Sequence, residues 1–202
     1  MTTRSRSGIV RRQRRDEENP LKIVVTGPFS AGKTTFIQTI SEDGFLATDR
    51  AVTDASRARK KQTTVAMDFG KLTFSDDLSL QLVGTPGQDR FEVMWEILSR
   101  GMIGFILLVD ASAPDGLAEA ATILGRFQGF RGVPFVVAVS HLDDRSADPA
   151  HTLDEVRRGL GIARGVPVGP CDPRVKEDVK AALLQLLGLI LAGVARPSAA
   201  TG

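Results

Sequence analysis

The chain has 202 residues, of which 42% are hydrophobic, and its formal net charge at neutral pH is only +2. This length and composition suit one domain with a well-buried core, and the near balance of charge favours no class of partner. The single cysteine excludes an internal disulfide, and the longest apolar run, residues 181–195, is shorter than the ~20 residues that a membrane span needs. We therefore expect a cytoplasmic protein.

Residues 1–19 are polar and basic, and their arginines precede the first acidic residue, Asp16. With few apolar side chains, this segment is predicted to be disordered, and it lacks the apolar run of a signal peptide. Three roles stay open for it: a solvated tail, a contact with an acidic partner, or weak adhesion to the inner face of a membrane. The polar residues 196–202 are predicted to form a flexible tail. The six arginines are Arg4, Arg6, Arg11, Arg12, Arg14 and Arg15.

From residue 20 to residue 195, apolar strands alternate with amphipathic helices. This alternation predicts an α/β fold with a mostly parallel, six-stranded sheet and helices on both faces. A hairpin within residues 65–83 supplies one antiparallel edge strand, and residues 43–63 form a polar segment without clear periodicity, which is typical of a functional loop. The predicted strands are 21–26, 65–74, 78–83, 102–109, 133–139 and 166–168, and the predicted helices are 32–41, 91–100, 117–127, 154–160 and 175–191.

Residues 27–34 read G-P-F-S-A-G-K-T, which satisfies the phosphate-loop pattern G-x-x-x-x-G-K-S/T between a predicted strand and a predicted helix. Glycines let the backbone N–H groups converge on phosphates at the start of a helix. Lys33 would neutralise the terminal phosphates and the Thr34 hydroxyl would ligate Mg²⁺, whereas the alternative is a glycine turn with an exposed lysine. The predicted phosphate-binding residues are Gly27, Ser30, Ala31, Gly32, Lys33, Thr34 and Thr35.

Residues 83–88 read V-G-T-P-G-Q. Together with the phosphate loop, this segment resembles Ras-like small GTPases of the P-loop class, most closely the bacterial gliding-motility (Mgl-type) branch and the GTPases of actinobacterial conservon operons. The resemblance implies a G domain in which Gly87 donates its N–H to the γ-phosphate and Gln88 orients the attacking water. Gly84 stands where most of the superfamily has an acidic residue near the magnesium. The Mgl-type branch also lacks that residue and has a proline where Pro86 stands.

The absence of an acidic side chain at position 84 predicts weaker retention of Mg²⁺, unless Asp49 or Asp54 supplies a substitute carboxylate. The resemblance also implies that Thr64 closes over the magnesium and the γ-phosphate. The alternative is that Thr64 is an ordinary β-branched residue at the start of a strand, without a role in binding. Arg57 and Arg59 are candidates for an internal arginine finger, and a solvated basic loop is the alternative. Hydrolysis is expected to be slow without a partner.

Residues 139–143 read V-S-H-L-D, where guanine-specific members of the superfamily have N-K-x-D. The carboxylate of Asp143 is predicted to accept two hydrogen bonds from guanine, which adenine does not offer. Ser140 and His141 depart from the pattern, and His141 either stacks on the base or is a surface histidine. The resemblance further implies that Cys171 is a small pocket residue and that the backbone N–H of Asp172 contacts the base carbonyl.

Three functions remain open at this point. The first is a regulatory switch that binds GTP with Mg²⁺ and hydrolyses it slowly, in bacterial signalling. The second is a pseudo-GTPase that binds nucleotide without turnover, and the third is an ATP-binding regulator. The resemblance also implies a roadblock (longin-like) regulator and a sensor kinase-like protein as partners, while no motif for reading nucleic-acid bases is present.

Overall fold

A computed structural model describes residues 21–42, 46–50, 65–75, 78–86, 97–127, 129, 132–142 and 149–194. The strands are β1 (Leu21–Thr26), β2 (Leu46–Arg50), β3 (Val65–Ser75), β4 (Leu78–Gly84), β5 (Met102–Asp110), β6 (Phe135–Ser140) and β7 (Val168–Pro170). The helices are α1 (Lys33–Ile40), α2 (Gly116–Phe127), α3 (Pro149–Gly159) and α4 (Lys176–Val194). Of the helix predicted over residues 91–100, residues 97–99 are helical and residues 91–96 lie outside the described part.

The seven strands of the described chain form one sheet in the order β2-β3-β4-β1-β5-β6-β7. Strands β4, β1, β5, β6 and β7 pair in parallel, and β3 pairs antiparallel with both β2 and β4. The predicted α/β class, the mostly parallel sheet and the hairpin are confirmed. The sheet has one strand more than predicted because Leu46–Arg50, within the predicted loop, pairs through its backbone with β3. The antiparallel strand is therefore β3, one position inside the edge.

Apolar side chains cover both faces of the sheet. On one face, α1 and α4 pack through residues such as Phe36, Ile37 and Leu186. On the other face, α2 and α3 pack through residues such as Leu124 and Val156. Each such side chain stabilises the fold by about 1.5–3 kcal/mol when it is fully buried. The predicted helices on both faces are confirmed.

The boundaries of the later elements differ from the prediction. Helix α3 begins at Pro149, five residues before its predicted start, and α4 continues to Val194 instead of ending near residue 191. Strand β7 covers Val168–Pro170, two residues later than predicted. Within the described residues, no helix combines the length and the apolar character needed to cross a bilayer.

Candidate functional site

The phosphate loop connects the end of β1 to the start of α1, and two glycines permit its curvature. Gly27 and Gly32 have φ values of 147° and 94°, in the region that side chains rarely adopt. A Cβ at Gly27 would lie 2.3 Å from the carbonyl oxygen of Leu108, and a Cβ at Gly32 would lie 2.7 Å from the Pro173 ring. The first turn of α1 carries no acidic residue. Gly32, at the N-cap, offers no side chain to cap the first N–H groups of the helix, so these groups can bind an anion seated in the loop.

Lys33 holds its ammonium group inside this loop. The side chain is 8% exposed, and Nζ donates hydrogen bonds to the carbonyl oxygens of Gly27, at 2.8 Å, and Pro28. Burial lowers the pKa of Lys33 to about 8, an effect that the carboxylates of Asp68 and Glu119 oppose. A bound phosphate would supply the negative charge that this buried ammonium lacks in the loop.

Asp68, on β3, brings a carboxylate to the start of α1. The hydroxyl of Thr34 donates to Asp68 Oδ2 at 2.5 Å. A Cβ at Gly84 would lie 3.0 Å from the Asp68 Cβ and 3.3 Å from Oδ2. The Asp68 carboxylate therefore occupies the space that a side chain at position 84 would need. The absence of a side chain at Gly84 is therefore what leaves room for the Asp68 carboxylate.

The sequence interpretation missed Asp68 and considered Asp49 and Asp54 instead. Asp49 lies on β2, where its backbone pairs with Ala66, and Asp54 lies outside the described residues. Phe69 pairs with Val83 in the antiparallel hairpin, so the preceding residue, Asp68, lies opposite Gly84, but the apolar alternation of the two strands does not by itself give this register. The hydroxyl of Thr34 and the carboxylate of Asp68 are the hard oxygen donors that Mg²⁺ prefers, so this pair fits a magnesium ion beside phosphates.

The start of the V-G-T-P-G-Q segment is fastened to β1. Thr85 is buried, its hydroxyl donates to Thr26 Oγ1 at 2.9 Å, and its N–H donates to the carbonyl oxygen of Val25 at 3.0 Å. The end of β4 therefore holds a fixed position beside the phosphate loop. Gly87 and Gln88, which follow, lie outside the described residues.

Ser140, at the end of β6, connects the phosphate loop to the neighbouring strand. Its buried hydroxyl lies 3.4 Å from the carbonyl oxygen of Ala31 and 3.3 Å from that of Val109. His141 follows with a φ of 55°, which turns the chain sharply at the edge of the sheet, and its side chain is exposed. Ser140, which stands where related GTPases have asparagine, thus contacts the phosphate loop through its hydroxyl.

The turn after β7 is fixed by polar contacts. The backbone N–H of Asp172 donates to Asp178 Oδ2 at 2.9 Å, so a base contact by this N–H requires that hydrogen bond to be replaced or shared. The Asp172 carboxylate pairs with Arg174 at 2.7 Å, and this interaction lowers the pKa of Asp172 to about 2. Thr39 donates to the carbonyl oxygen of Pro173 at 2.7 Å, which ties the turn to α1.

Cys171 is 2% exposed, and burial raises the pKa of its thiol to about 12, with the carboxylates of Asp178 and Asp172 adding to the shift. The thiol is therefore protonated at neutral pH and packs as an apolar side chain in the core beneath the turn.

The structure brings most of the predicted site residues to the carboxyl edge of the parallel strands, where doubly wound folds bind ligands. Thr35 lies there in the first turn of α1. The residues grouped at this edge are Gly27, Ser30, Ala31, Gly32, Lys33, Thr34, Ser140, Cys171 and Asp172. The predicted residues that lie outside the described part are Arg57, Arg59, Thr64, Gly87, Gln88 and Asp143.

A parallel sheet with a phosphate loop at its carboxyl edge, one antiparallel strand and helices on both faces defines a Ras-like P-loop domain. Comparison with known proteins agrees with this class of fold. The family described as "conserved hypothetical ATP binding protein" matches residues 43–158, more than half of the chain, and the chain belongs to this family. The matched segment contains Asp68 and Gly84 and begins after the phosphate loop.

Individual relatives are similar at low identity over most of their length. An uncharacterized protein of Methanocaldococcus jannaschii is 26% identical over 138 residues, which are 68% of this chain and 80% of that protein. ADP-ribosylation factor-like protein 3 of Saccharomyces cerevisiae is 25% identical over 174 residues, 83% of this chain and 84% of that protein. Ras-related protein Rab-27B of Homo sapiens is 23% identical over 191 residues, 87% and 82% respectively.

Proposed function

We propose that this protein is a small GTP-binding regulatory switch that hydrolyses GTP slowly. One observation carries the proposal: the buried ammonium of Lys33 and the Thr34–Asp68 pair meet at the start of α1, at the mouth of one phosphate loop. A loop that only connects a strand to a helix needs neither a buried cation nor a carboxylate beside its threonine. The similarity to Ras-related and ADP-ribosylation factor-like proteins supports the same class of function.

In this proposal the chain's own groups bind and orient the triphosphate. The N–H groups of the first turn of α1 and the ammonium of Lys33 hold the phosphates. Thr34 and Asp68 would hold a magnesium ion, which when bound neutralises negative charge on the phosphates. Gly84 contributes by having no side chain, because a Cβ there would crowd the Asp68 side chain at 3.0 Å from its Cβ and 3.3 Å from Oδ2. Two departures motivate the pseudo-GTPase alternative: the missing carboxylate at Gly84 and the incomplete base motif at Ser140 and His141. The Asp68 carboxylate weakens the first of these arguments and leaves the second unchanged.

Hydrolysis is assigned to residues that lie outside the described part of the chain. Gln88 orients the attacking water, Gly87 donates its N–H to the γ-phosphate, and Thr64 closes over the magnesium and the γ-phosphate. Arg57 or Arg59 supplies positive charge against the transition state. The hydrogen bond between Thr85 and Thr26 supports this assignment, since it fixes the strand end from which Gly87 and Gln88 continue.

The base pocket distinguishes guanine from adenine through Asp143, with Ser140 connecting that strand end to the phosphate loop. An ATP-binding regulator is the second candidate, and two observations favour it. The family that contains this chain is described as ATP binding, and the Asp172 N–H, which would contact a guanine carbonyl, donates instead to Asp178.

The pathway belongs to the same proposal. The combination of Gly84 with Pro86 supports the Mgl-type and conservon branch, and through it a role in bacterial signalling in the cytoplasm. A roadblock (longin-like) protein as regulator and a sensor kinase-like protein as membrane partner complete the proposal.

Binding and turnover measurements test the proposal directly. Fluorescent GDP, GTP and ATP are titrated with and without Mg²⁺, and single-turnover cleavage is followed in the parent and in Gln88→Ala. We expect guanine-selective, Mg²⁺-dependent binding in both proteins and slower cleavage in the variant. Preference for ATP establishes the second candidate. Guanine binding without any product, in the presence of a roadblock partner, would establish the pseudo-GTPase instead.

A further inference from the structure

The last helix, α4, exposes apolar residues on the side that faces away from the sheet. Its inward residues, such as Val179, Leu183 and Leu186, are buried in the core. Residues 181–194 contain no charged residue, and Gln185 is their only polar side chain. A surface helix of a globular domain normally carries charged and polar residues opposite its buried face. The outward side of α4 therefore has the composition of a surface that another element covers.

Four exposed residues of α4 follow one line along the helix. They are spaced three, four and three residues apart, which is the alternation of the a and d positions in a coiled coil. Leu184 and Leu191, at the two d positions, are 56% and 69% exposed. Ala181 and Gly188, at the two a positions, are exposed as well. We call these four residues the outer seam of α4.

The outer seam alternates small and large residues, which makes it complementary to itself when its direction is reversed. If two copies of α4 run antiparallel and cross at the level of residue 186, Leu184 of one copy lies opposite Gly188 of the second copy. In the same register, Leu191 lies opposite Ala181. Each layer then joins one leucine to one small residue, so that the two helices interdigitate without voids. A parallel pair would instead place Gly188 opposite Gly188 and leave a gap.

We propose that the outer seam of α4 binds the outer seam of a second copy of this chain in an antiparallel, twofold-symmetric helix pair. This register overlaps residues 178–194 of the two helices, about 25 Å. The two charged side chains in the overlap, Asp178 and Lys180, lie opposite uncharged residues of the second copy, so no like charges meet. The two helix dipoles run in opposite directions, which places each helix start beside the oppositely charged helix end.

The surroundings of the seam leave room for this contact. A Cβ at Gly188 would meet no heavy atom of the described residues within 4 Å. One helix from each copy buries less than the roughly 800 Å² per partner of a standard stable interface, so the dimer is weak and reversible. Helix α4 begins beside the phosphate loop, where a Cβ at Gly32 would lie 2.7 Å from the Pro173 ring. Antiparallel pairing therefore places the two phosphate loops at opposite ends of the pair, and the inference does not depend on which nucleotide binds.

Sedimentation velocity of the full chain tests for the dimer. Concentrations from about 1 μM to about 1 mM cover the range of weak association. We expect the dimer fraction of the parent to rise with concentration, and Leu184→Asp to weaken the dimer by about tenfold or more, because the charge would enter both symmetric layers. Val175→Asp, which adds the same charge at an exposed apolar position before α4 and outside the overlap, is the matched control and should associate like the parent.

Introduced cysteines test the direction and the register of the pair. The chain's own cysteine, Cys171, is buried, and both Leu184 and Gly188 are exposed, so cysteines at these two positions should fold and react selectively. Leu184→Cys and Gly188→Cys are mixed and oxidised, and mass spectrometry separates the products. The mixed disulfide should exceed the share that random pairing gives, because a disulfide needs its two Cβ atoms opposite each other. A parallel pair would instead link each variant to itself.

Several outcomes would overturn the inference. A parent that stays monomeric over the whole concentration range would do so, as would equal association of the parent and Leu184→Asp. A monomer that sediments with phospholipid vesicles, and does so less after Leu184→Asp, would assign the outer seam to a lipid surface instead. A predominance of symmetric disulfides would exclude the antiparallel pair. If circular dichroism shows that Leu184→Asp is unfolded, the cysteine variants decide the question by themselves.

Discussion

We first predict the effect of removing the charge of Asp68, the carboxylate that would hold Mg²⁺ in this site. Asp68→Asn keeps the shape of the side chain and removes its charge. Thr34 donates to this carboxylate at 2.5 Å, and an interaction with a charged group of this kind contributes about 1.5–3 kcal/mol. If Asp68 helps to hold the nucleotide-bound Mg²⁺, the variant should retain Mg²⁺ roughly 10- to 150-fold more weakly.

The assay is the release rate of a fluorescent guanine nucleotide, measured with Mg²⁺ and after addition of EDTA. In the parent, EDTA should accelerate release strongly. In Asp68→Asn, release with Mg²⁺ should already be fast, and EDTA should add little. Asp154→Asn, on the exposed side of α3, is the control and should behave like the parent.

A swap variant provides the converse test. A Cβ at position 84 would lie 3.3 Å from Asp68 Oδ2, so a carboxylate attached there reaches nearly the same place. Asp68→Gly combined with Gly84→Asp should therefore recover much of the Mg²⁺ dependence that Asp68→Gly alone loses. If Asp68→Asn releases nucleotide with the same EDTA response as the parent, Asp68 does not take part in holding the metal.

Three further predictions follow from the described contacts. Above about pH 8 the ammonium of Lys33 loses its proton in the free protein, so the affinity for nucleotide should fall as pH rises, and the protein should take up a proton when nucleotide binds. Calorimetry in buffers of different ionisation enthalpy measures this proton uptake. Equal binding heats in all buffers would contradict the prediction. The thiol of Cys171, with its pKa raised to about 12, should stay unreactive toward a disulfide reagent at pH 8 until the protein is unfolded, whereas rapid labelling of the native state would show an accessible thiolate. Thr85→Val should lower the free energy of unfolding by about 1–3 kcal/mol, because it leaves buried Thr26 without its partner; an unchanged urea midpoint would refute this.

The hairpin illustrates why the fold was more predictable than the site. Its two strands follow from alternating apolar residues, and their existence is confirmed. Their exact register is not readable from that alternation, because the pairing shifts between Thr73 and Ser75. Continuing the Ser75–Leu78 pairing without this shift would place Asp68 opposite Thr85. A displacement of one residue reverses the face on which a side chain lies, so the position of Asp68 beside Gly84 depended on an irregularity of the folded strand.

Strand β2 was not predicted, because its sequence lacks an apolar pattern. Leu46–Arg50 is polar and short, and it joins the sheet through backbone hydrogen bonds to β3. Such pairing does not require an apolar pattern, so residues 43–63 were predicted to be a loop throughout. The α/β class, the buried central strands and the helices were predictable because strands buried on both faces are nearly continuous apolar runs, whereas helices buried on one face repeat apolar residues with the helical period.

The sequence by itself determined that a phosphate loop lies between a strand and a helix, since its glycines, Lys33 and Thr34 are neighbours in the chain and act through local backbone geometry. Only the tertiary structure decided which carboxylate faces that loop, that Ser140 of β6 contacts the loop, and that the turn containing Pro173 is tied to α1. These contacts join residues that are distant in sequence, and they arise from strand order, register and helix length, which residue spacing alone does not encode.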